Sequence, residues 1–103
     1  MSDCIFCKIA NHEIPAKIVF ENDEIIAFDD IHPKAPIHVV VIPKSHDTPV
    51  WIAKAVKQVA RTKKIDKTGY RVIINQGKDA GQEIDHFHAH VLGGKPLGPI
   101  LCM

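Results

Sequence analysis

The chain has 103 residues, of which 46% are hydrophobic and 24% are charged, and its formal net charge is +1. This composition argues against a disordered chain, and the near-zero net charge argues against broad binding of nucleic acid. No apolar run approaches the roughly 20 residues that a membrane-spanning helix needs. We therefore expect a single domain over residues 1–103, with no nucleic-acid partner and no membrane.

The N-terminus, MSDCIFCKIA, lacks the charged start and the long apolar core of a secretory signal peptide. A cytoplasmic location is therefore the expectation. Thiols stay reduced in that compartment, so Cys4, Cys7 and Cys102 do not predict a disulfide framework. Cys4 and Cys7 form a C-x-x-C pair, which is typical of metal or redox chemistry in a reducing compartment.

The first half of the chain predicts one helix and three strands. A short helix over residues 4–11 is expected to be capped by Asp3 and to end before Pro15. The β-rich runs KIVFE and EIIAFDD flank the turn-like ENDE and predict a hairpin. IHVVVIP is rich in β-branched residues and predicts a third strand that stops at Pro43.

The second half predicts one helix and two strands. Thr48 and Pro49 suit the start of a helix that runs from Trp51 to Lys64. Its apolar residues recur at helical spacing, namely Ile52, Val56, Val59 and Ala60. YRVIIN and HFHAHVL predict the last two strands, and the tail GGKPLGPILCM is expected to be irregular. Together these elements predict an α+β domain, an antiparallel sheet with helix covering one face.

The last predicted strand carries histidines at alternate positions, His86, His88 and His90. Alternate side chains of a strand share a face, so three imidazoles are expected along one open face of the sheet. On a straight strand His86 and His90 lie roughly 13 Å apart, whereas zinc–nitrogen bonds are only about 2 Å long. The residues alone leave open an exposed polar strand, a metal site that uses two histidines, and a division of labour among the three.

HFHAHVL fits the pattern His-φ-His-φ-His-φ-φ, in which φ is apolar, and this pattern resembles the signature of the histidine triad family. Other segments resemble the Hint-like branch of that family in the same order, namely CIFCKIA, EIPAKIVFENDEIIAFDDIHPKAPIHVVVIP, GYRVIINQGKDAGQ and HFHAHVLGGKPLGP. The resemblance covers nearly the whole chain. It implies a five-stranded antiparallel sheet with two helices.

The resemblance also implies an enzyme that acts at the α-phosphate of a purine nucleotide. His88 occupies the position of the nucleophile, which attacks phosphorus and forms a nucleotidyl-imidazole that water then hydrolyses. A neutral imidazole supplies the lone pair for this attack. His90 resembles the residue that contacts the phosphate and assists the leaving group, and His86 is expected to orient His88 through its backbone carbonyl.

A nucleotide pocket follows from the same resemblance. Asp30 matches the acid that binds the ribose hydroxyls. Asn75, Gly81 and the backbone near Glu83 match phosphate contacts in a glycine-containing loop, which on its own pattern is a plain turn. The residues that match the apolar base pocket, and that from pattern alone are core residues, are Phe6, Ile9, Ile14, Phe28 and Ile31.

The cysteine pair has the spacing of zinc ligands but supplies only two of four. Related triad and uridylyltransferase proteins with two N-terminal cysteines imply a structural zinc ion, and no organic cofactor. The implied zinc ligands are Cys4, Cys7, His46 and His86. In the alternative, the cysteines are buried thiols and His46 lies near the phosphate.

Two features depart from the family pattern. Only residues 47–68 fill a connection that in the family holds a longer helix and contributes to a homodimer, so a homodimer and a monomer both stay open. Glu83 stands where the family has a serine or threonine near the leaving group. If it points inward, its carboxylate repels the substrate phosphate, and the alternative is that it turns to solvent.

Three functions remain. The leading one is a purine nucleoside phosphoramidase, which releases a monophosphate from a P–N bond. The second is a dinucleoside polyphosphate hydrolase or nucleotidyl transferase with the same nucleophile, and the third is a zinc-stabilised nucleotide-binding module with weak catalysis. Of the other histidines, His12 and His32 are expected at the surface, and His38 is a strand residue without an assigned role.

Overall fold

The computed structural model describes residues 4–46 and 51–101. The α-helices in this part of the chain are α1 (Ile5–Ala10) and α2 (Ala53–Thr62). The strands are β1 (Ile18–Glu21), β2 (Ile25–Asp29), β3 (Ile37–Pro43), β4 (Tyr70–Ile73) and β5 (Ala89–Gly93). A single 3₁₀ turn, Lys78–Ala80, lies between β4 and β5. The α+β fold with five strands and two helices is thus confirmed.

All five strands form one antiparallel sheet in the order β1-β2-β3-β5-β4. The hairpin of β1 and β2 turns at Asn22, whose side-chain oxygen accepts hydrogen bonds from the amides of Glu24 and Ile25. This is the local bonding for which asparagine is favoured in turns. β3 lies at the centre of the sheet, and its run of valines is buried on both faces.

Two apolar clusters cover the two faces of the sheet. On one face, α2 packs Val56, Val59 and Ala60 against Val39 and Val91. On the other, α1 packs Phe6 and Ile9 in a second cluster with residues of β2 and β3. The expectation that helix covers one face was therefore incomplete, because the short α1 shields part of the second face. The rest of that second face stays accessible beside α1.

The last strand begins later than the sequence predicts, at Ala89 rather than His86. β5 pairs with β3 up to Ala89, which lies opposite Val41, and with β4 up to His90, which lies opposite Ile73 at the end of β4. Residues 86–88 therefore have no strand ladder. The alternation of side chains persists across this boundary, since Phe87 and Ala89 pack in the α2 cluster while His88 and His90 line the opposite face.

The helix bounds also differ from those predicted. α1 covers Ile5–Ala10 rather than residues 4–11, with Cys4 at its N-cap, and α2 covers Ala53–Thr62 rather than residues 51–64. Asp3, Thr48 and Pro49, which were expected to begin helices, lie outside the described residues. Neither helix of the described part has the length and apolarity needed to cross a membrane.

Candidate functional site

A cavity of about 670 Å³ opens on the sheet face that α1 only partly covers. It is lined by all the residues that the sequence predicts for a nucleotide site, namely Phe6, Ile9, Ile14, Phe28, Asp30, Ile31, Asn75, Gly81, Glu83, His88 and His90. These residues come from α1, the segment after it, the end of β2, the loop between β4 and β5, and β5. The fold therefore brings together residues up to 84 positions apart in the chain.

The apolar wall of the cavity comes from α1 and β2. The rings of Phe6 and Phe28 meet edge to face with their centroids 5.8 Å apart, and both are buried. This geometry is a preferred one for aromatic pairs, and it gives the wall a fixed shape. Ile31 differs from the others because it is 84% exposed, so it lies at the rim rather than in a closed pocket.

The loop between β4 and β5 supplies Asn75, Gly81 and Glu83 to the opposite part of the lining. Gly81 has a φ of +80°, a left-handed conformation that glycine adopts without a side-chain clash. The loop is held across its base, where the amide of Gly77 donates to the side-chain oxygen of Gln82 at 2.8 Å. Glu83 is exposed while it lines the cavity.

His88 has a defined orientation and tautomer. Its Nδ1–H donates to the carbonyl oxygen of His86 over 2.7 Å. In a neutral ring the other nitrogen, Nε2, then carries no proton and holds the lone pair. The ring also meets Phe6 edge to face at a centroid distance of 5.0 Å. The sequence predicts three imidazoles along an open face of the sheet. This prediction is wrong for two of them, because His86 is only 1% and His88 only 6% exposed.

His38 is a member of the site that the sequence analysis missed. The backbone amide of Lys34 donates to its Nδ1 at 3.0 Å, so the proton of the neutral ring must sit on Nε2. That Nε2–H donates to Nδ1 of His90 over 2.8 Å. By the same argument, His90 keeps its proton on Nε2, as a hydrogen-bond donor. One backbone amide thus fixes the tautomers of two imidazoles.

A signal for His38 was present in the sequence. It alternates with Val40 and Ile42 in β3, and these two residues belong to the cluster on the cavity face. A polar residue in phase with that apolar row must face the cavity. Asp30 lies near it, with one carboxylate oxygen 3.4 Å from Nε2 of His38. The cluster of Asp30, His38 and His90 is also compact enough to hold a metal. The hydrogen bond between the two imidazoles, however, accounts for the proximity of the two histidines.

Burial keeps both of these imidazoles neutral. It lowers the pKa of His38 below its ordinary value of 6.5, against the opposing effect of the Asp30 carboxylate. It likewise lowers the pKa of His90, and the neighbouring rings of His38 and His88 lower that pKa further. Near pH 7 the pair is therefore an uncharged donor–acceptor chain that ends in the Nε2–H of His90.

Behind the cavity lies a second cluster, made of two thiols and two imidazoles. The ligand atoms of Cys4, Cys7, His46 and His86 all lie within 4.8 Å of one another. Nδ1 of His46 is 3.3 Å from the sulfur of Cys7. The ring of His46 also packs against that of His86, so His46 lies with the thiols, and it is not among the residues that line the cavity.

The orientation of His86 suits a metal ligand. Its Nε2–H donates to the carbonyl oxygen of Pro43 at 2.7 Å, which leaves the Nδ1 lone pair facing the two sulfurs. Both sulfurs lie 3.5 Å from this one nitrogen. The one lone pair on Nδ1 accepts a single hydrogen bond, so thiol protons cannot explain both contacts. A tetrahedral zinc ion bound to the nitrogen and to both sulfurs would explain both, because it would set each sulfur about 3.6 Å from the nitrogen. The cluster could therefore hold a metal ion.

His12 and His32 lie at the surface, as expected. His12 is exposed and lies 2.8 Å from the carboxylate of Glu21. His32 is exposed at the rim of the cavity, where its backbone amide donates to Asp30 at 2.7 Å.

Comparison with known proteins places this arrangement in a family. Residues 11–97 match the model of the HIT domain. A purine nucleoside phosphoramidase of Escherichia coli K12 is 40% identical over 112 aligned positions, which cover 96% of this chain and 93% of that protein. An uncharacterised HIT-like protein of Rickettsia prowazekii is 42% identical over 90% of this chain and 88% of its own length.

Solved structures agree. A histidine triad protein from Clostridium difficile superposes with a TM-score of 0.91 at 44% identity, over 98% of each chain. A HIT family hydrolase from Clostridium thermocellum gives 0.90 at 41% identity, over 98% of this chain and 99% of its own. The chain belongs to the HIT domain family.

Proposed function

We propose that this protein is a hydrolase of purine nucleoside phosphoramidates that works through a covalent nucleotide on His88. One observation carries the proposal: the hydrogen bond from Nδ1 of His88 to the carbonyl of His86 leaves an unprotonated Nε2 in a cavity with an apolar wall. The name of the Escherichia coli relative, purine nucleoside phosphoramidase, agrees with this reaction.

In the first step, Nε2 of His88 attacks phosphorus and the P–N bond to the leaving amine breaks. The bond between Nε2 and phosphorus replaces it, and the amine departs with a proton taken from solvent, which the attacking water returns in the second step. In the second step, water attacks phosphorus, the bond to Nε2 breaks, and a nucleoside monophosphate leaves. Two easier displacements thus replace one difficult displacement.

His90 suits the role of donor to the phosphate. Its chain of hydrogen bonds from Lys34 through His38 keeps a proton on Nε2 while the ring stays neutral. A donor held in a preorganised orientation stabilises negative charge that develops on phosphate oxygens. Asn75 and Gly81 from the loop before β5 complete the proposed phosphate contacts, and Asp30 is the proposed partner of the ribose hydroxyls.

The proposed metal is a structural zinc ion held by Cys4, Cys7, His46 and His86. Zinc prefers four nitrogen and sulfur ligands in tetrahedral geometry, which matches the donor set. The bound ion would supply no chemistry at phosphorus and would tie α1 and the end of β3 to the residues before β5. Zinc-binding cysteines must stay reduced, so the proposal also includes a cytoplasmic location. It treats residues 1–103 as a single domain.

The test compares wild type with His88→Ala on adenosine 5′-phosphoramidate. We expect the variant to lose turnover while it still binds adenosine monophosphate by calorimetry. A panel that adds a dinucleoside polyphosphate at fixed enzyme concentration ranks the leaving groups, and faster cleavage of the polyphosphate would replace the proposed substrate class. Unchanged turnover by the variant would refute the mechanism, and binding without turnover in wild type would indicate a nucleotide-binding module.

A further inference from the structure

We propose that Glu83 is a specificity-determining residue that makes the site favour substrates whose leaving amine carries an additional positive charge. The inference rests on the proposed phosphoramidase function and specifies the substrate class within it. Its basis is a carboxylate of the cavity lining that has no partner among the described residues.

Three carboxylates belong to residues that line the cavity, those of Asp29, Asp30 and Glu83. Asp29 is paired with Lys63 at 2.8 Å. Asp30 accepts the amide of His32 at 2.7 Å and lies 3.4 Å from His38. Among the described residues, none lies within hydrogen-bond or ion-pair distance of the Glu83 carboxylate. Glu83 is therefore the carboxylate of this lining that the described part of the protein leaves without a partner.

The position of Glu83 separates it from the proposed base pocket. The apolar wall comes from α1 and β2, whereas Glu83 comes from the loop that joins β4 to β5. The neighbouring Ile84 packs against the apolar cluster of α1, while the Glu83 side chain stays exposed. The same loop supplies Asn75 and Gly81, the proposed phosphate contacts, and leads within five residues to His88. The proposal therefore assigns the Glu83 charge to the phosphate and leaving-group side of the cavity.

An unpaired carboxylate in this position repels the phosphate of every substrate. A substrate whose leaving amine bears an ammonium group brings its own counter-charge and offsets that repulsion, whereas a carboxylate on the leaving amine adds to it. The Glu83 side chain is exposed, and exposed ion pairs contribute up to about 1 kcal/mol, which corresponds to a rate ratio of about fivefold. The selection should therefore be moderate and should weaken as salt screens it.

The test uses three adenosine 5′-phosphoramidates of matched length, with leaving amines n-pentylamine, 1,5-diaminopentane and 5-aminopentanoate. The quantity measured is kcat/KM for each, at low and at high salt, in wild type, Glu83→Gln and Glu24→Gln. Glu24→Gln is the control because it removes an exposed carboxylate that lies outside the cavity lining.

We expect wild type and Glu24→Gln to prefer the diamine over pentylamine by about twofold to fivefold and to disfavour the carboxylate. Glu83→Gln should bring the three values of kcat/KM close together and raise the value for the neutral substrate, because it removes a charge that repels the phosphate. Equal selectivity in Glu83→Gln and wild type would overturn the proposal. So would an equal loss for all three substrates, which would identify a proton donor instead. If wild type cleaves none of the three, the phosphoramidase function itself fails, and this inference fails with it.

Discussion

The carbonyl oxygen of His86 lies 2.7 Å from Nδ1 of His88 and accepts a hydrogen bond from its N–H. The imidazole of the same His86 lies 3.5 Å from the sulfur atoms of Cys4 and Cys7. A single residue therefore joins the thiol–imidazole cluster to the proposed nucleophile, through its side chain on one side and its backbone on the other. Whatever moves His86 also changes the direction of the Nε2 lone pair of His88.

The first prediction follows from that connection. Cys7→Ser should remove the metal, lower the melting temperature and reduce kcat by roughly tenfold to a hundredfold, because the His86 backbone would no longer be held in place. Elemental analysis, calorimetry and steady-state kinetics measure the three effects. His12→Asn is the matched control, since His12 is an exposed histidine outside the cluster. Wild-type metal content and stability in Cys7→Ser would show that the cluster does not hold zinc.

The second prediction concerns His38 and the proton on His90. His38→Leu removes the donor to Nδ1 of His90, so we expect kcat to fall by about tenfold to a hundredfold with little change in KM. His38→Gln retains an N–H donor and should keep a larger share of kcat. The two variants are compared by steady-state kinetics on one substrate. If both variants have the same kcat, the hydrogen bond donated to Nδ1 of His90 does not contribute to catalysis.

The third prediction is a pH dependence of stability. Burial lowers the pKa of His38 and of His90 below 6.5, so between 6.5 and the folded values the unfolded chain binds more protons than the native protein. Stability is then full above about pH 6.5 and falls as pH drops through the folded pKa values. Urea unfolding from about pH 7.5 to pH 5 should show this fall, with a shallower slope in His38→Gln. An equal slope in both proteins would mean that His38 contributes nothing to this pH dependence.

The fourth prediction concerns the contact of β5 with the segment after α2. A Cβ on Gly93 would lie 2.9 Å from Cδ1 of Ile65 and 3.3 Å from the backbone oxygen of Gly69. Gly93→Ala should therefore destabilise the protein by about 1–3 kcal/mol, measured by urea unfolding. Adding Ile65→Val removes the nearest atom, so the double variant should lose less than the sum of the two single changes. Simple additivity would contradict the contact.

The fifth prediction tests Asp30 as the ribose partner. Asp30→Asn removes the charge but keeps an oxygen that can accept the amide of His32. We expect KM for an adenosine phosphoramidate to rise by roughly tenfold, because a charge-assisted hydrogen bond is lost. KM for the 2′,3′-dideoxy analogue should stay unchanged, since that analogue has no hydroxyl for Asp30 to bind. An equal rise for both substrates would place Asp30 elsewhere in the mechanism.

Much of the fold could be read from local patterns. The β-branched run of β3 and the apolar spacing of α2 located both elements to within a few residues, because they pack against one cluster with the expected periodicity. The bounds of β5 were not readable in this way. They depend on where pairing with β3 and β4 stops, at Ala89 and His90, which is a property of the neighbouring strands rather than of the HFHAHVL segment.

Most members of the site could be predicted from the sequence, but His38 and the positions of the imidazole protons could not. The resemblance to the histidine triad family supplied every expected lining residue and the four atoms of the thiol–imidazole cluster. The role of His38 depends on two long-range contacts, to the Lys34 amide and to His90, which lies 52 positions later in the chain. Hydrogen bonds of this kind have no counterpart in a linear pattern, so the tautomers became visible only in three dimensions.

The most direct test of the central claim is to trap the covalent intermediate. Turnover of adenosine 5′-phosphoramidate is quenched on the millisecond scale in base, where a phosphorus–imidazole bond survives, and the digested protein is examined by mass spectrometry. We predict adenylate on the peptide that contains His88, formed before monophosphate appears and absent from His88→Ala. Monophosphate released at full rate with no nucleotide on the protein, or nucleotide attached to a different residue, would contradict the account.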